Sequence, residues 1–145
     1  MTLRINIKLL DENLPIPAYA YESDAGCDLF STCDVDIAPG ERALIPTGIA
    51  LAIPVGYAGF VQPRSGLAAK HGLGIVNTPG LIDARYRGEI KVILINLDQG
   101  NIFSIKRGDK IAQLVIQPVL TAAFNVVDTL DETTRGDGGF GSSGG

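Results

Sequence analysis

The chain is a succession of short hydrophobic runs separated by turn-forming residues. The runs are rich in β-branched residues and cover residues 5–10, 43–53, 59–62, 90–97 and 111–119. Short strands at a spacing of roughly 8–12 residues, with glycine and proline between them, are typical of all-β sandwiches and jelly rolls. The pattern therefore predicts an all-β fold, a jelly-roll-like β-sandwich or distorted barrel.

Two of the hydrophobic stretches carry further information. Residues 43–62 contain no charge, but prolines and glycines interrupt them. A membrane-spanning helix would leave the broken backbone hydrogen bonds unsatisfied, so two short strands joined by turns are predicted and no membrane is expected as a partner. Residues 91–97 are almost wholly apolar. Such a run favours a strand buried on both faces, which in a small β protein implies burial at a subunit interface.

One short helix and the C-terminal segment differ from the strands. Ser65 is a suitable N-cap, residues 67–71 form the predicted helix, and Gly72 ends it. From residue 131 onward the chain is rich in glycine and serine and cannot build a core. The sequence therefore predicts a β domain over residues 1–130 and a flexible C-terminal arm over residues 131–145.

Composition narrows the class of partner. The 145 residues suit one domain, and 12 Lys and Arg against 16 Asp and Glu give a net charge of −4. An acidic chain is a poor candidate for binding a nucleic acid polymer, which requires a basic surface. Cys27 and Cys33 form no CxxC pair and suggest no disulfide framework, so a reducing, cytoplasmic location is expected.

Four polar clusters are candidates for chemistry, and each has a plainer alternative. Asp28 is either a buried structural acid or an acid that faces magnesium. Arg64 and Ser65, at the start of the predicted helix, provide either an anion site or a simple helix cap. Asp83 either activates a water molecule or belongs to a surface hairpin with an incidental salt bridge. Gln113 lies in an apolar strand and must find hydrogen-bond partners if it is buried.

Together with the glycine-rich arm, these clusters form five ordered motifs. The motifs are residues 24–29, 63–68, 77–89, 107–114 and 135–144. In them the chain resembles the trimeric deoxyuridine triphosphate nucleotidohydrolases, or dUTPases, and especially bacterial members of the actinobacterial kind. The resemblance implies a jelly-roll subunit in a homotrimer, with active sites between subunits. It also implies hydrolysis of dUTP to dUMP and pyrophosphate with Mg²⁺, which limits uracil in DNA and supplies dUMP for dTMP synthesis.

The resemblance assigns roles at the phosphates. Asp83 resembles the general base that activates the attacking water. Asp28 would hold a water molecule of the Mg²⁺, which sits mainly on the triphosphate. The remaining phosphate contacts that it implies are Arg64, Ser65, Gly66 and, from a neighbouring subunit, Gln113.

Further roles concern the nucleoside and the arm. The hairpin contacts that the resemblance implies are Asn77, Leu81, Ile82, Tyr86 and Lys91. The main chain at Leu81 and Ile82 would copy a base-pairing edge, and the ring of Tyr86 would lie under the sugar and reject a 2′-hydroxyl. In the arm, Phe140 would stack on uracil and Arg135 would pair with the γ-phosphate. The arm would then close a neighbouring active site as a lid.

Two other functions are compatible with these motifs. The dCTP deaminases resemble this fold and share part of its nucleotide pocket, but their chemistry releases ammonia. The arm, with Arg135 and Phe140, fits the hydrolase better. A non-catalytic trimeric module that binds nucleotide is the second alternative.

Overall fold

The computed structural model describes residues 2–144 and contains, within that range, eleven strands and one short helix. The strands are β1 (Asn6–Leu9), β2 (Gly26–Phe30), β3 (Val35–Ile37), β4 (Arg42–Pro46), β5 (Ile49–Ala52), β6 (Tyr57–Gln62), β7 (Leu73–Ile75), β8 (Gly80–Ile82), β9 (Lys91–Asn96), β10 (Phe103–Ile105) and β11 (Lys110–Pro118). The helix, α1, spans Ser65–His71. The predicted all-β class is confirmed. Met1 and Gly145, the outer ends of the predicted domain and arm, lie outside the described residues.

The described strands form antiparallel sheets that do not close into a barrel. A four-stranded sheet has the order β2-β11-β6-β8, and a three-stranded sheet has the order β4-β9-β7. The pairs β1-β5 and β10-β3 complete the arrangement. In the four-stranded sheet, Gln113 of β11 lies opposite Asp28 on one side and opposite Gln62 on the other. The polar residues of separate motifs therefore come together on neighbouring strands.

A single apolar core lies between these sheets. Leu29 and Ile111 contribute to the core from the four-stranded sheet, and Ile45 and Leu94 contribute from the three-stranded sheet. All four are at most 1% exposed. Complete burial of one such side chain contributes about 1.5–3 kcal/mol, so this core provides a firm support for the loops above it.

The hydrophobic run of residues 43–53 forms two strands and not one. Strand β4 ends at Pro46 and β5 begins at Ile49. Between them Gly48 has a φ of +75°, and a Cβ there would lie 2.8 Å from the Cβ of Asp11. Both the left-handed backbone and the close approach require glycine. The stretch 43–62 consequently holds three strands, where the sequence predicted two.

Strand β9 buries only one of its faces within the single chain. Val92 and Leu94 are buried, whereas Ile93 and Ile95 are half-buried and Leu97, just beyond the strand, is 64% exposed. Burial of the other face at a subunit interface, which the sequence implied, stays a prediction. Ile93 lies opposite Leu44 of β4, which is 59% exposed, so the outer face of this sheet is an apolar surface.

The helix begins at Ser65, two residues before the predicted span of 67–71, and its N-cap lies one residue earlier than predicted. Arg64, and not Ser65, occupies the N-cap position, and no side-chain hydrogen bond caps the helix there. The predicted role of Ser65 as the cap is thus wrong, because Ser65 already lies in the first turn. Gly72 ends the helix as predicted, with a φ of +64° and its N–H donated to the carbonyl of Ala68.

The last described segment extends away from the β domain. The N–H of Val119 donates to the carbonyl of Gly56 at 2.9 Å, and the described hydrogen bonds of later residues stay within the segment itself. Leu120 and Phe124 are almost fully exposed. The predicted division at residue 130 stays a prediction.

Among the described residues, no helix is long and apolar enough to cross a membrane.

Candidate active site

Two clefts bring the candidate residues together. The hairpin cleft, of about 290 Å³, is lined by Asn77, Gly80, Leu81, Ile82, Asp83, Tyr86, Glu89 and Lys91 above an apolar floor. The helix cleft, of about 650 Å³, is lined by residues that include Gly26, Asp28, Arg64, Ser65, Gly66, Lys70, His71 and Gln113. The two clefts have no lining residue in common within residues 2–144. One chain therefore holds the predicted nucleoside residues and the predicted phosphate residues apart.

Strand pairing shapes the hairpin cleft. Strand β8 pairs with β6, with Gly80 opposite Val61. A Cβ on Gly80 would lie 3.2 Å from the Cβ of Val61, so the missing side chain lets the strands approach closely. Along β8 the side chain of Ile82 is buried and that of Leu81 is exposed. This alternation anchors the strand on the core and leaves the main chain of both residues along the cleft.

A tight turn presents Asp83 and Tyr86. The N–H of Tyr86 donates to the carbonyl of Asp83 at 3.1 Å, and the Tyr86 hydroxyl donates to the carbonyl of Glu89 at 2.8 Å. The carboxylate of Asp83 is exposed, and within residues 2–144 no hydrogen bond or ion pair engages it. An unpartnered carboxylate beside a cleft is free to accept a proton from a bound water.

The base of this hairpin is fixed to the turn between β4 and β5. The Ile90 carbonyl accepts from the buried Thr47 hydroxyl at 2.5 Å, and the Ile90 N–H donates to the carbonyl of Ile49 at 2.9 Å. The Gly48 N–H donates to the Glu89 carboxylate at 3.2 Å. Sequence reasoning missed these supports, because they join segments about 40 residues apart and only the fold reveals the pairing.

Asp28 is the central charged group of the helix cleft. Its carboxylate lies 3.3 Å from Nε of Arg64 and 3.1 Å from Nζ of Lys110, and its side chain is 17% exposed. Both alternatives for Asp28 remain compatible with this geometry, since the carboxylate holds Arg64 in place and also borders the cleft. Two cations around one acid leave a net positive corner that suits an anionic ligand.

The side-chain amide of Gln113 is hydrogen-bonded within the same chain. Its Nε2 donates to the carbonyl of Pro63 at 3.0 Å, next to Arg64. A Cβ on Gly26 would lie only 2.6 Å from Oε1 of Gln113, so Gly26 leaves the room that the amide occupies. Sequence reasoning missed this role of Gly26, although the glycine stands within the first motif.

The first turn of α1 completes the helix cleft. Ser65 and Gly66 are exposed there, and the N–H groups of a first helical turn have no partner within the helix. Lys70 and His71 also line this cleft, which sequence reasoning did not foresee. The ring of His71 packs against the ring of Phe103, with 5.1 Å between the two ring centroids.

Arg135 and Phe140 lie outside both clefts in the single chain. Nε of Arg135 donates to the carbonyl of Gly138 at 2.9 Å, and Phe140 is fully exposed with a φ of +49°. Neither residue lines the hairpin cleft or the helix cleft. Their predicted contacts with a nucleotide stay predictions.

The donor set does not form a protein cage for a metal. Within the described residues, no group of three or more His, Cys, Asp or Glu side chains converges on one point. Mg²⁺ prefers to keep several waters and to bind substrate phosphates with one or two carboxylates. Asp24 and Asp28 border the open helix cleft, so carboxylates there could hold the waters of a Mg²⁺ ion that sits on the phosphates.

Comparisons with known proteins identify the family of this chain. The family model described as dUTPase matches residues 12–144. The deoxyuridine 5′-triphosphate nucleotidohydrolase of Rhodococcus erythropolis is 60% identical over 143 residues, which cover 99% of this chain and 87% of that protein. That of Thermobifida fusca is 59% identical over 144 residues, covering 99% and 80%. The chain belongs to the dUTPase family.

Solved structures give the same result. The dUTPase of Staphylococcus bacteriophage 80alpha with dUPNHPP has a TM-score of 0.89 at 33% identity, covering 99% of each chain. A mutant dUTPase from phage phi11 of S. aureus, described with a structural Mg(II) ion, has a TM-score of 0.80 at 32% identity, covering 88% of this chain and 98% of that one. The predicted jelly-roll-like fold and the resemblance to bacterial dUTPases are confirmed.

Proposed function

We propose that this chain is a dUTP diphosphatase, which hydrolyses dUTP to dUMP and pyrophosphate. Membership of the dUTPase family and about 60% identity to actinobacterial relatives support this activity. The observation that carries the chemistry is the unpartnered Asp83 carboxylate at the edge of the hairpin cleft. The reaction lowers dUTP, which limits uracil in DNA, and supplies dUMP for dTMP synthesis.

The hairpin cleft receives uracil and deoxyribose. Main-chain groups of Leu81 and Ile82 pair with the uracil edge, and Asn77 supplies the polar end of the cleft. The ring of Tyr86 lies under the sugar and leaves no room for a 2′-hydroxyl. Lys91, exposed at the start of β9, contacts the substrate at the rim. The support for this assignment is that all five residues line one cleft.

Asp83 is the general base of the reaction. It takes a proton from a water molecule, and the oxygen of that water attacks the α-phosphorus in line. The bond from the α-phosphorus to the bridging oxygen breaks, and pyrophosphate leaves with that oxygen. A positioned base contributes roughly 10²–10⁴ in rate, so the remaining acceleration comes from the positioning of the substrate.

The helix cleft receives the triphosphate. Arg64, Ser65, Gly66 and Gln113 offer donors to phosphate oxygens. Asp28, which is already paired with Arg64 and Lys110, would hold a water molecule of the Mg²⁺ and not the ion itself. When bound to the triphosphate, Mg²⁺ neutralises charge that develops as pyrophosphate leaves.

A homotrimer unites the two clefts and the arm. The hairpin cleft of one subunit faces the helix cleft of the next, and a third subunit contributes the arm, predicted over residues 131–145, with Arg135 and Phe140. Two apolar surfaces support this assembly, the outer face around Leu44 and Ile93 and the exposed side chains of Leu120 and Phe124. Monomeric proteins rarely leave such surfaces open to water. The cytoplasmic location stays a prediction.

Pyrophosphate release from dUTP, dTTP, UTP and dCTP, with Mg²⁺ and purified full-length chain, tests this proposal. Rapid release from dUTP alone is the expected result. Ammonia from dCTP would instead indicate a deaminase. Binding of dUTP without any turnover would indicate the non-catalytic module.

A further inference from the structure

We propose that Gly88 is a specificity-determining positioning residue. Because residue 88 has no side chain, the ring of Tyr86 lies directly against the backbone there and is held where it excludes a 2′-hydroxyl. This inference rests on the proposed function and deepens it, since it explains how the hairpin keeps the sugar-facing ring in place. Gly88 itself lies outside the lining of the hairpin cleft and acts through Tyr86.

The ring of Tyr86 lies so close to Gly88 that any side chain at residue 88 would have to displace it. A Cβ on Gly88 would lie 2.5 Å from Oη, 2.7 Å from Cζ and 3.0 Å from Cε2 of Tyr86. Two of these distances are shorter than any that real Cβ atoms show. The backbone at Gly88 does not itself demand glycine, because its φ lies outside the left-handed range. The ring of Tyr86 is therefore the reason that residue 88 has no side chain.

The segments on either side of the ring are fixed. On one side, the N–H of Tyr86 is bound to the carbonyl of Asp83. On the other, the Tyr86 hydroxyl donates to the carbonyl of Glu89, whose carboxylate accepts from the N–H of Gly48. Tyr86 is 45% exposed, so few side chains hold it, and the flat contact with Gly88 supplies the missing restraint. An added methyl group would force the ring to rotate or the turn to open.

Ring placement matters because rejection of one hydroxyl depends on a close fit. A hydrophobic pocket discriminates by about a hundredfold against an analogue of similar shape that adds a hydroxyl. If the ring moves away from the sugar, a ribonucleotide fits and the deoxyribonucleotide loses a packing partner. The ratio of kcat/KM for dUTP to that for UTP reports this directly.

The test compares Gly88→Ala with the parent for both nucleotides. We expect the dUTP-to-UTP ratio of kcat/KM to fall by about tenfold or more in the variant. The matched control is Gly100→Ala. Gly100 also has a φ outside the left-handed range, but nothing lies within 4 Å of its Cβ position, so the ratio is expected to stay at the parent value. Thermal unfolding of each variant confirms that the fold is intact.

A second pair of variants separates ring placement from general damage. In a Tyr86→Ala background the Gly88→Ala change has no further effect on the ratio, because its target is gone. Tyr86→Phe removes the hydrogen bond to Glu89 but keeps a ring against Gly88, and we expect it to retain most of the discrimination. If Gly88→Ala does not fold, the Tyr86→Phe variant still tests whether the ring or its hydrogen bond to Glu89 sets the discrimination between dUTP and UTP.

Three results would overturn the inference. They are an unchanged ratio in folded Gly88→Ala, an equal fall of the ratio in the Tyr86→Ala background, and complete loss of discrimination in Tyr86→Phe. An active parent with any of these outcomes leaves the proposed function standing and removes only the role of Gly88. A parent that releases no pyrophosphate from dUTP removes both.

Discussion

The hairpin cleft and the helix cleft differ in whether their aspartate carboxylates are paired within the chain. In the hairpin cleft the carboxylate of Asp83 has no hydrogen-bond or ion-pair partner within the described residues, although Glu89 and Lys91 also line that cleft. In the helix cleft Asp28 is paired with Arg64 and Lys110 before any ligand arrives. An unpaired acid suits proton transfer, whereas preset cations suit the binding of an anion. Changes in the two clefts should therefore act on different kinetic constants.

The largest effect is expected in the hairpin cleft. Asp83→Asn keeps the shape of the side chain but removes the base, so turnover of dUTP should fall by roughly 10²–10⁴. Binding of dUTP with Mg²⁺ should persist. Single-turnover rates and calorimetric titration measure the two quantities separately.

The control for this change is Asp36→Asn, since Asp36 is exposed in β3 and lines neither cleft. Its turnover should equal that of the parent. An Asp83→Asn variant that hydrolyses dUTP at the parent rate would show that another group is the base.

Removal of the arm should have the next largest effect. A chain that ends at Leu130 lacks Arg135 and Phe140, which lie outside both clefts of their own chain. Loss of one charge-assisted contact and one stacking contact should lower kcat/KM by about a hundredfold. The assembly should remain trimeric by sedimentation. Undiminished kcat/KM would remove the lid role of the arm.

Sequence patterns predicted the local features of this molecule better than the distant ones. The turn spacing predicted an all-β fold, and Gly72 predicted the end of α1, because both depend on neighbouring residues. The hydrophobic run of residues 43–53 predicts one strand, since nothing adjacent in sequence reveals the close approach of Asp11 to Gly48. The apolar run of β9 predicted burial of its outer face at a subunit interface, and the half-buried Ile93 and Ile95 of a single chain leave that prediction open.

The same distinction between local and distant features applies to the candidate site. Motifs predicted that Asn77 and Tyr86 share a pocket, and the hairpin cleft brings them together. Gln113 was predicted to come from a neighbouring subunit, but within one chain it already lines the cleft of Arg64. Their supports were not predictable. Thr47 and Glu89 act through contacts with residues about 40 positions away, and Gly26 acts by leaving space, which has no pattern in the sequence.

The helix cleft should respond in binding and not in turnover. Arg64→Gln removes one cation from the pair with Asp28 and should raise KM for dUTP by about tenfold, because one charge-assisted hydrogen bond is lost. The value of kcat should change little. Arg85→Gln is the matched control, since Arg85 is exposed on the hairpin but lines neither cleft. A large fall in kcat with unchanged KM would contradict the division between the clefts.

The smallest effect concerns the support beneath the hairpin cleft, where the carboxylate of Asp11 is paired and not free like that of Asp83. Asp11 packs on Gly48, and both of its carboxylate oxygens accept from the guanidinium of Arg107, one of them at 2.8 Å from Nη2. The hydrogen bond from Arg107 holds the pKa of the Asp11 carboxyl below its ordinary value of 3.8. The folded state therefore releases this proton more readily than the unfolded state does. The stabilisation is complete above the unfolded pKa and is lost as the pH falls through the folded pKa.

Asp11→Asn should remove this pH dependence. Between about pH 5 and about pH 3 the melting temperature of the parent should fall more steeply than that of the variant, so that their difference narrows on acidification. The Asp36→Asn variant, which loses no described ion pair, should follow the parent throughout. Parallel melting curves of parent and Asp11→Asn across this range would mean that the Arg107 contact does not stabilise the fold. The free carboxylate of Asp83 and the paired one of Asp11 would then not differ in what they contribute to folding.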